Sequence, residues 1–261
     1  MTTAPHVLGT RAKGKPVFAL ESDQYLTALA RESKALAEAA AGAGPSARVP
    51  SCPGWTVSDL IVHCASGDLW ARTIIERRTT ERVPIELPEK PPTGEALVPW
   101  FLEGAHALID ALSKTDPSTS VWTFSPADRT AQFWFRRRAH ETSIHRFDAQ
   151  LAAETTAPID APLAADGVDE FLTFFAPRWG KDAVGVGETL HFHCTDIEGE
   201  WFLLGSDDGV TVTREHAKGD AAARGSASDL MLFVWGRVPA SQVEVFGDGD
   251  LLNRFAAAIN V

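Results

Sequence analysis

The sequence predicts an α+β protein of two domains, an N-terminal four-helix bundle followed by a smaller C-terminal α+β domain with an antiparallel sheet. Three observations predict it. Four long segments of the first half carry apolar residues at helical spacing. A proline-punctuated stretch, TTAPIDAPL, interrupts the chain at 155–163, and beyond it short alternating segments lie between turn residues. The expected divisions are a tail over 1–21, the bundle over 22–156 and the α+β domain over 157–261. With 261 residues and 44% hydrophobic content, the chain can build real cores.

Residues 23–42, DQYLTALARESKALAEAAAG, form the first predicted helix and finish in a glycine-containing turn. The second, TVSDLIVHCASGDLWARTIIERR, opens with hydroxyl residues and an early aspartate, and keeps its period to about Arg77. ERVPIELPEKPP, with four prolines, breaks the pattern. GEALVPWFLEGAHALIDALS is the third helix, with Pro99 tolerated near its first turns, and TAQFWFRRRAHETSIHRFDAQLAAE is the fourth. Connections of such unequal length suggest an antiparallel bundle with a crossover. In the second half, residues 164–176 read as helix. TLHFHCT, EWFLLG and GVTVTRE read as an antiparallel meander, SASDLMLFVWGRV as a helix, VEVFG as a strand and DLLNRFAAAI as a last helix.

The net charge of −11 argues against a nucleic-acid or anionic-membrane surface as the main task and points to small-molecule work. The N-terminus, MTTAPHVLGTRAKGKP, lacks an apolar h-region, and no run approaches membrane-spanning length, so a cytoplasmic protein is expected, monomeric or homodimeric. Cys52, Cys64 and Cys194 are odd in number and widely spaced, which fits neither a disulfide framework nor a zinc knuckle. Cys52, in the loop PSCPGW, reads as an incidental rather than a reactive thiol.

The stretch RRRAHETSIHRFD, 136–148, carries the chemistry. His140 and His145 are five apart, a rotation of about 140° on a helix, so they cannot share an ion as a zincin pair would. Glu141 and His145 are four apart and share a stripe, which Asp148 extends. That pair reads either as two metal ligands or as a polar pair on a wet surface. A metal needs a further ligand from a facing helix, and His63 is the candidate; the bland alternative is a core histidine bonded to Asp59. Of Arg136, Arg137, Arg138 and Arg146, at least two are expected on a solvated face, and Arg137, one turn before Glu141, lies nearest the metal stripe as a candidate for cofactor binding. Trp100, Phe101, Trp122, Phe124, Phe133, Trp134 and Phe135 read mostly as bundle core, with one or two left to line a pocket between the domains.

PSCPGWTVSDLIVH, RRRAHETSIHRFD and ASDLMLFVWGR, in this order, resemble the mycothiol-dependent maleylpyruvate isomerase family of actinobacteria. The resemblance runs from about residue 22 to the C-terminus. It implies a DinB-like bundle and a sterol-carrier-like C-terminal domain, with one divalent metal, usually zinc, held by His63, Glu141 and His145. It also implies a catalytic arginine from the C-terminal domain, best matched by Arg237, and orienting or structural roles for His140 and Asp148. The expected activity is isomerisation or thiol transfer, with mycothiol as the nucleophile on a small, anionic electrophile such as maleylpyruvate. The alternatives are a metal-dependent hydrolase that activates water and a non-catalytic small-molecule binder.

Overall fold

Helix α1, Ser22–Ala43, starts at a reciprocal cap in which the backbone N–H of Glu21 donates to Gln24 Oε1 at 2.7 Å and the Glu21 side chain accepts from the third helical residue. Its apolar stripe of Tyr25, Leu29, Leu36 and Ala40 is buried. Thr56 caps α2, Val57–Arg77: its hydroxyl accepts from Asp59 N at 3.3 Å and Asp59 Oδ2 accepts from Thr56 N at 2.8 Å. A single 3₁₀ turn, Gly94–Ala96, leads into α3, Leu97–Ser113, and α4 runs over Gln132–Ala152. In this computed structural model, residues 19–85 and 91–258 are described, with their side chains except at 179–182. Tail residues 1–18, the stretch 86–90 of the proline-rich segment and Ile259 of the expected last helix lie outside the described residues. No helix among the described residues is long and apolar enough to cross a membrane.

The position of α4 governs the site. Neighbours surround it on nearly every side, chiefly α1 and α2, and most of its residues are buried although four of them are arginines. The expectation that at least two of these arginines are solvated is wrong. Arg136 pairs with Asp166 and Asp169, at 3.1 and 3.0 Å; Arg137 pairs with Glu170; Arg138 pairs with Asp68 and Glu141; and Arg146 pairs with Glu32 at 2.8 Å. The physical reason is that a central helix has no solvated face, so each guanidinium enters the interior only with a carboxylate beside it.

The C-terminal domain begins with α5, Ala161–Glu170, which continues through a π-helical turn at Phe171–Phe175 into α6, Ala176–Ala183. Strands β1 (Thr189–Cys194), β2 (Glu200–Ser206) and β3 (Gly209–Thr213) form the antiparallel meander. β4, Ala221–Gly225, pairs parallel to β1 on its other side, and β5, Glu244–Gly247, pairs antiparallel to β4, giving the order β3-β2-β1-β4-β5. The sheet is therefore mixed at one ladder. AAARG carries no β-branched or aromatic residue, so β4 had no strand signal of its own. Helices α7, Ala227–Val234, and α8, Gly249–Ala258, complete the domain. One continuous apolar core joins Leu29, Trp134 and Phe135 of the bundle to Val168, Phe171 and Met231 of the second domain, while Leu36, Leu60, Ile61 and Phe101 close the far end of the bundle.

Candidate metal centre

The packing of α2 against α4 brings His63, Glu141 and His145 together. One donor atom from each lies within 4.8 Å of the others, and His63 Nε2 stands 3.4 Å from Glu141 Oε1. The His63 and His145 rings meet edge to face with centroids 4.9 Å apart, and Trp55 flanks both, at 5.0 and 6.4 Å. His63 is not bonded to Asp59, whose carboxylate is spent on the α2 cap. Close approach of the two helices depends on Gly67, because a Cβ there would overlap the Arg138 guanidinium. That guanidinium donates to Asp68 Oδ1 at 3.0 Å and to the Cys64 carbonyl at 3.2 Å, and holds Glu141 Oε2 at 2.7 Å. Glu141 Oε1 is left for the cleft.

Burial works against an ionised Glu141, but Arg138, the bond to His63 and Arg137 outweigh it and hold the carboxyl well below the usual range. Burial lowers the pKa of His145, which favours the neutral ring that a metal needs. His145 Nδ1 lies 2.9 Å from Asp148 Oδ2, so Nε2 is the nitrogen left to coordinate. Two imidazoles and a carboxylate suit a zinc-class divalent ion and leave coordination positions open. Cys52, His145 and Asp148 also place donors within 4.8 Å. That set is the poorer one, because Asp148 accepts from Ser51 Oγ at 2.6 Å and from Arg237 Nε and Nη2 at 3.1 Å each. Burial and the neighbouring Asp148 push the Cys52 thiol up to about 11, which disfavours the thiolate a metal requires.

Arg237 comes from the other domain. Gly236 follows the end of α7, and its φ of 68° lets the chain double back; Gly236 N donates to the Phe233 carbonyl and Arg237 N to that of Leu232. The turn sends Arg237 across the boundary onto Asp148, where burial fails to depress Asp148's partner: burial would lower the pKa of Arg237, and Asp148 raises it. For Asp148, burial is likewise outweighed, by His145 and Arg237, and its carboxyl stays below its ordinary value. Arg237 thus reaches the donors through Asp148 and His145. Arg137 lies between the Phe175 and Trp235 rings, 5.2 and 5.0 Å from their centroids, with its Nε 3.6 Å from Glu141 Oε2 and its head on Glu170. His140 points away from the donors, between Asp166 Oδ2 and Glu170 Oε2 at 3.0 Å each. Burial would lower its pKa, but those two carboxylates raise it.

His63, Glu141, His145, Arg137 and Arg237 all border one cavity of about 520 Å³ between the domains. Its apolar wall comprises Trp55, Trp70, Phe124, Phe175 and Trp235. Of the seven aromatics considered from sequence, only Phe124 lines this cavity, and Phe101, Phe133, Trp134 and Phe135 are core. Trp55, Trp70, Phe175 and Trp235 were not recognised as pocket residues. Trp70, seven residues from His63, had a signal in sharing its face of α2, and Trp235 had one in the WGR triplet that holds Arg237, whereas Trp55 and Phe175 had none in their local spacing.

Two family models match the chain, that of the mycothiol maleylpyruvate isomerase N-terminal domain over residues 26–150 and that of the corresponding C-terminal domain over 162–254. Among solved structures, the mycothiol-dependent maleylpyruvate isomerase is similar to it with a TM-score of 0.63 and 17% identity, over 87% of this chain and 93% of that one. A variant of that protein with one histidine replaced by alanine gives the same values. This likeness concerns the fold. No curated protein sequence matches the chain. With both domain models matched in order over most of its length, the chain belongs to the mycothiol-dependent maleylpyruvate isomerase family.

Proposed function

We propose that the protein is a metal-dependent isomerase in which a low-molecular-weight thiol, mycothiol by analogy with its family, adds reversibly to a small anionic electrophile of the maleylpyruvate kind. The observation that carries this reading is the convergence of His63, Glu141 and His145 on the wall of an interdomain cavity that Arg137 and Arg237 also border. These three side chains would hold a zinc-class ion. Such an ion lowers the pKa of a bound thiol and so supplies a thiolate near neutral pH.

The protein's own groups account for the rest. Asp148 fixes the orientation of the His145 ring, and Arg138 turns Glu141 so that one oxygen faces the cleft. The aromatic wall limits water around the nucleophile, which strengthens every charge interaction inside. When bound, such a thiolate would supply the nucleophile for reversible addition to the cis double bond, whose electron pair the conjugated carbonyl oxygen would hold during rotation and return as the thiolate leaves, with no net redox change. Arg137 and Arg237 supply positive charge for the substrate carboxylate and for the enolate oxygen.

The test is turnover of maleylpyruvate by the metal-loaded full chain, with and without mycothiol, alongside metal content. Turnover is expected only with the thiol, and His63→Ala should lose that turnover together with one equivalent of bound metal. Thiol-independent consumption of a substrate would replace the thiol with water. Absence of metal in the wild-type chain after metal loading would refute the reading.

A further inference from the structure

The outer face of the C-terminal sheet carries a second constellation of donors. Leu190, Phe192 and Cys194 of β1 point into the core, so His191 and His193, two residues apart, both face outward. Glu200 of β2 is directly across from His193 in the antiparallel register. His216 arrives from the segment 214–220, which carries the chain from β3 to β4 past β2 and β1.

These four side chains gather about one point. His193 Nδ1 lies 2.7 Å from Glu200 Oε1, His216 Nδ1 lies 2.9 Å from Glu200 Oε2, and His191 Nε2 lies 3.8 Å from Glu200 Oε2. One donor atom from each falls within 4.8 Å of all the others. A hydrogen-bonded histidine network explains only part of this. His193 and His216 take one carboxylate oxygen each, whereas His191, only 7% exposed, has a buried Nε2 with no hydrogen-bond partner. A buried ring nitrogen without a partner is costly, and a cation at the centre of the cluster would remove that cost.

We infer that His191, His193, Glu200 and His216 form a second metal site, specific for zinc-class divalent ions, which pins the β3–β4 crossover to the sheet. Three imidazoles and a carboxylate are borderline donors, suited to zinc, nickel or cobalt rather than to magnesium or calcium. Four protein ligands close a tetrahedral shell, the mark of a structural rather than a catalytic ion. The ligands come entirely from the C-terminal domain, so the inference does not depend on the bundle site. Because the unfolded chain lacks the cluster, the ion should stabilise the native state.

The experiment uses untagged full-length protein carrying His63→Ala and His145→Ala, which disable the bundle donors. Titration with cobalt(II) should give one equivalent with the intense visible bands of tetrahedral coordination. Zinc added in its place should survive desalting at micromolar protein, which requires a Kd below about 1 μM, and should raise the melting temperature. Adding His193→Ala and His216→Ala, whose side chains are 31% and 77% exposed, should abolish all three signals while circular dichroism is unchanged. Failure of the first variant to hold cobalt or zinc overturns the site, as does equal binding once His193 and His216 are removed. If wild-type protein holds a single ion that survives His63→Ala but is lost on His193→Ala and His216→Ala, the sheet site stands and the bundle site fails.

Discussion

His145 Nδ1 lies 2.9 Å from Asp148 Oδ2, three residues further along α4, and Arg237 of the other domain grips the same carboxylate through two contacts of 3.1 Å. One buried aspartate therefore orients a candidate metal ligand and ties the two domains together. This double duty separates the effects of neighbouring substitutions.

Asp148→Asn should weaken zinc binding by about 10–100-fold, the usual loss when the partner of a ligating histidine is removed. An asparagine oxygen can still accept from His145, but the negative charge that strengthens the ring as a ligand is gone. Competition against a chromogenic chelator reads the affinity, and circular dichroism should show the helices intact.

Arg237→Ala should leave metal content close to wild type and lower kcat/KM by about 10²-fold or more, as loss of one preorganised charge in a water-poor site does. It should also cost stability, on the order of 3 kcal/mol, because Asp148 stays buried without its cationic partner. Steady-state kinetics with metal analysis and urea unfolding separate the two effects, and unchanged kinetics would remove Arg237 from the chemistry.

Gly67→Ala places a methyl group in the space of the Arg138 guanidinium, which is pinned to Asp68 and Glu141 and cannot swing aside freely. A destabilisation of about 1–3 kcal/mol is expected from overpacking, with a fall in metal affinity as Glu141 loses its orientation. Chemical denaturation and zinc titration of the same variant check both.

The carboxylate of Asp166 accepts from Tyr25 and Arg136 and lies 3.0 Å from His140 Nε2. Burial would raise its pKa, but Arg136 and His140 dominate and depress it. A carboxyl depressed in the folded state contributes stability that is fully present above its unfolded pKa of about 3.9 and is lost as the pH falls through the folded value. Asp166→Asn should therefore be less stable than wild type at pH 7, by about 3 kcal/mol for a broken buried ion pair. The gap should narrow as the pH falls below about 4. Urea midpoints of both proteins across that range measure it, and a gap that widens in acid would contradict the sign.

The four bundle helices were legible in sequence from the helical spacing of their apolar residues, helped in α2 by the Thr56 and Asp59 cap. Strand β4 was not, since Ala221–Gly225 becomes a strand only because β1 and β5 flank it. Arg136, Arg137, Arg138 and Arg146 were read as partly solvated for a related reason. Their partners Asp68, Asp166, Glu170 and Glu32 lie on three other helices, at separations that no periodicity reveals.

By itself, the sequence determined that Glu141 and His145 share a stripe, that His140 cannot join His145 on one ion, and that the helix leading to WGR opens at its Ser and Asp. Those are consequences of 3.6 residues per turn and of local capping, which act within one element. Only the tertiary structure decided that His63 meets them from α2, that Asp148 receives Arg237 from another domain, and that three histidines converge on Glu200. Such meetings are set by how side chains of separate elements fill common space, and that information is distributed over the whole chain.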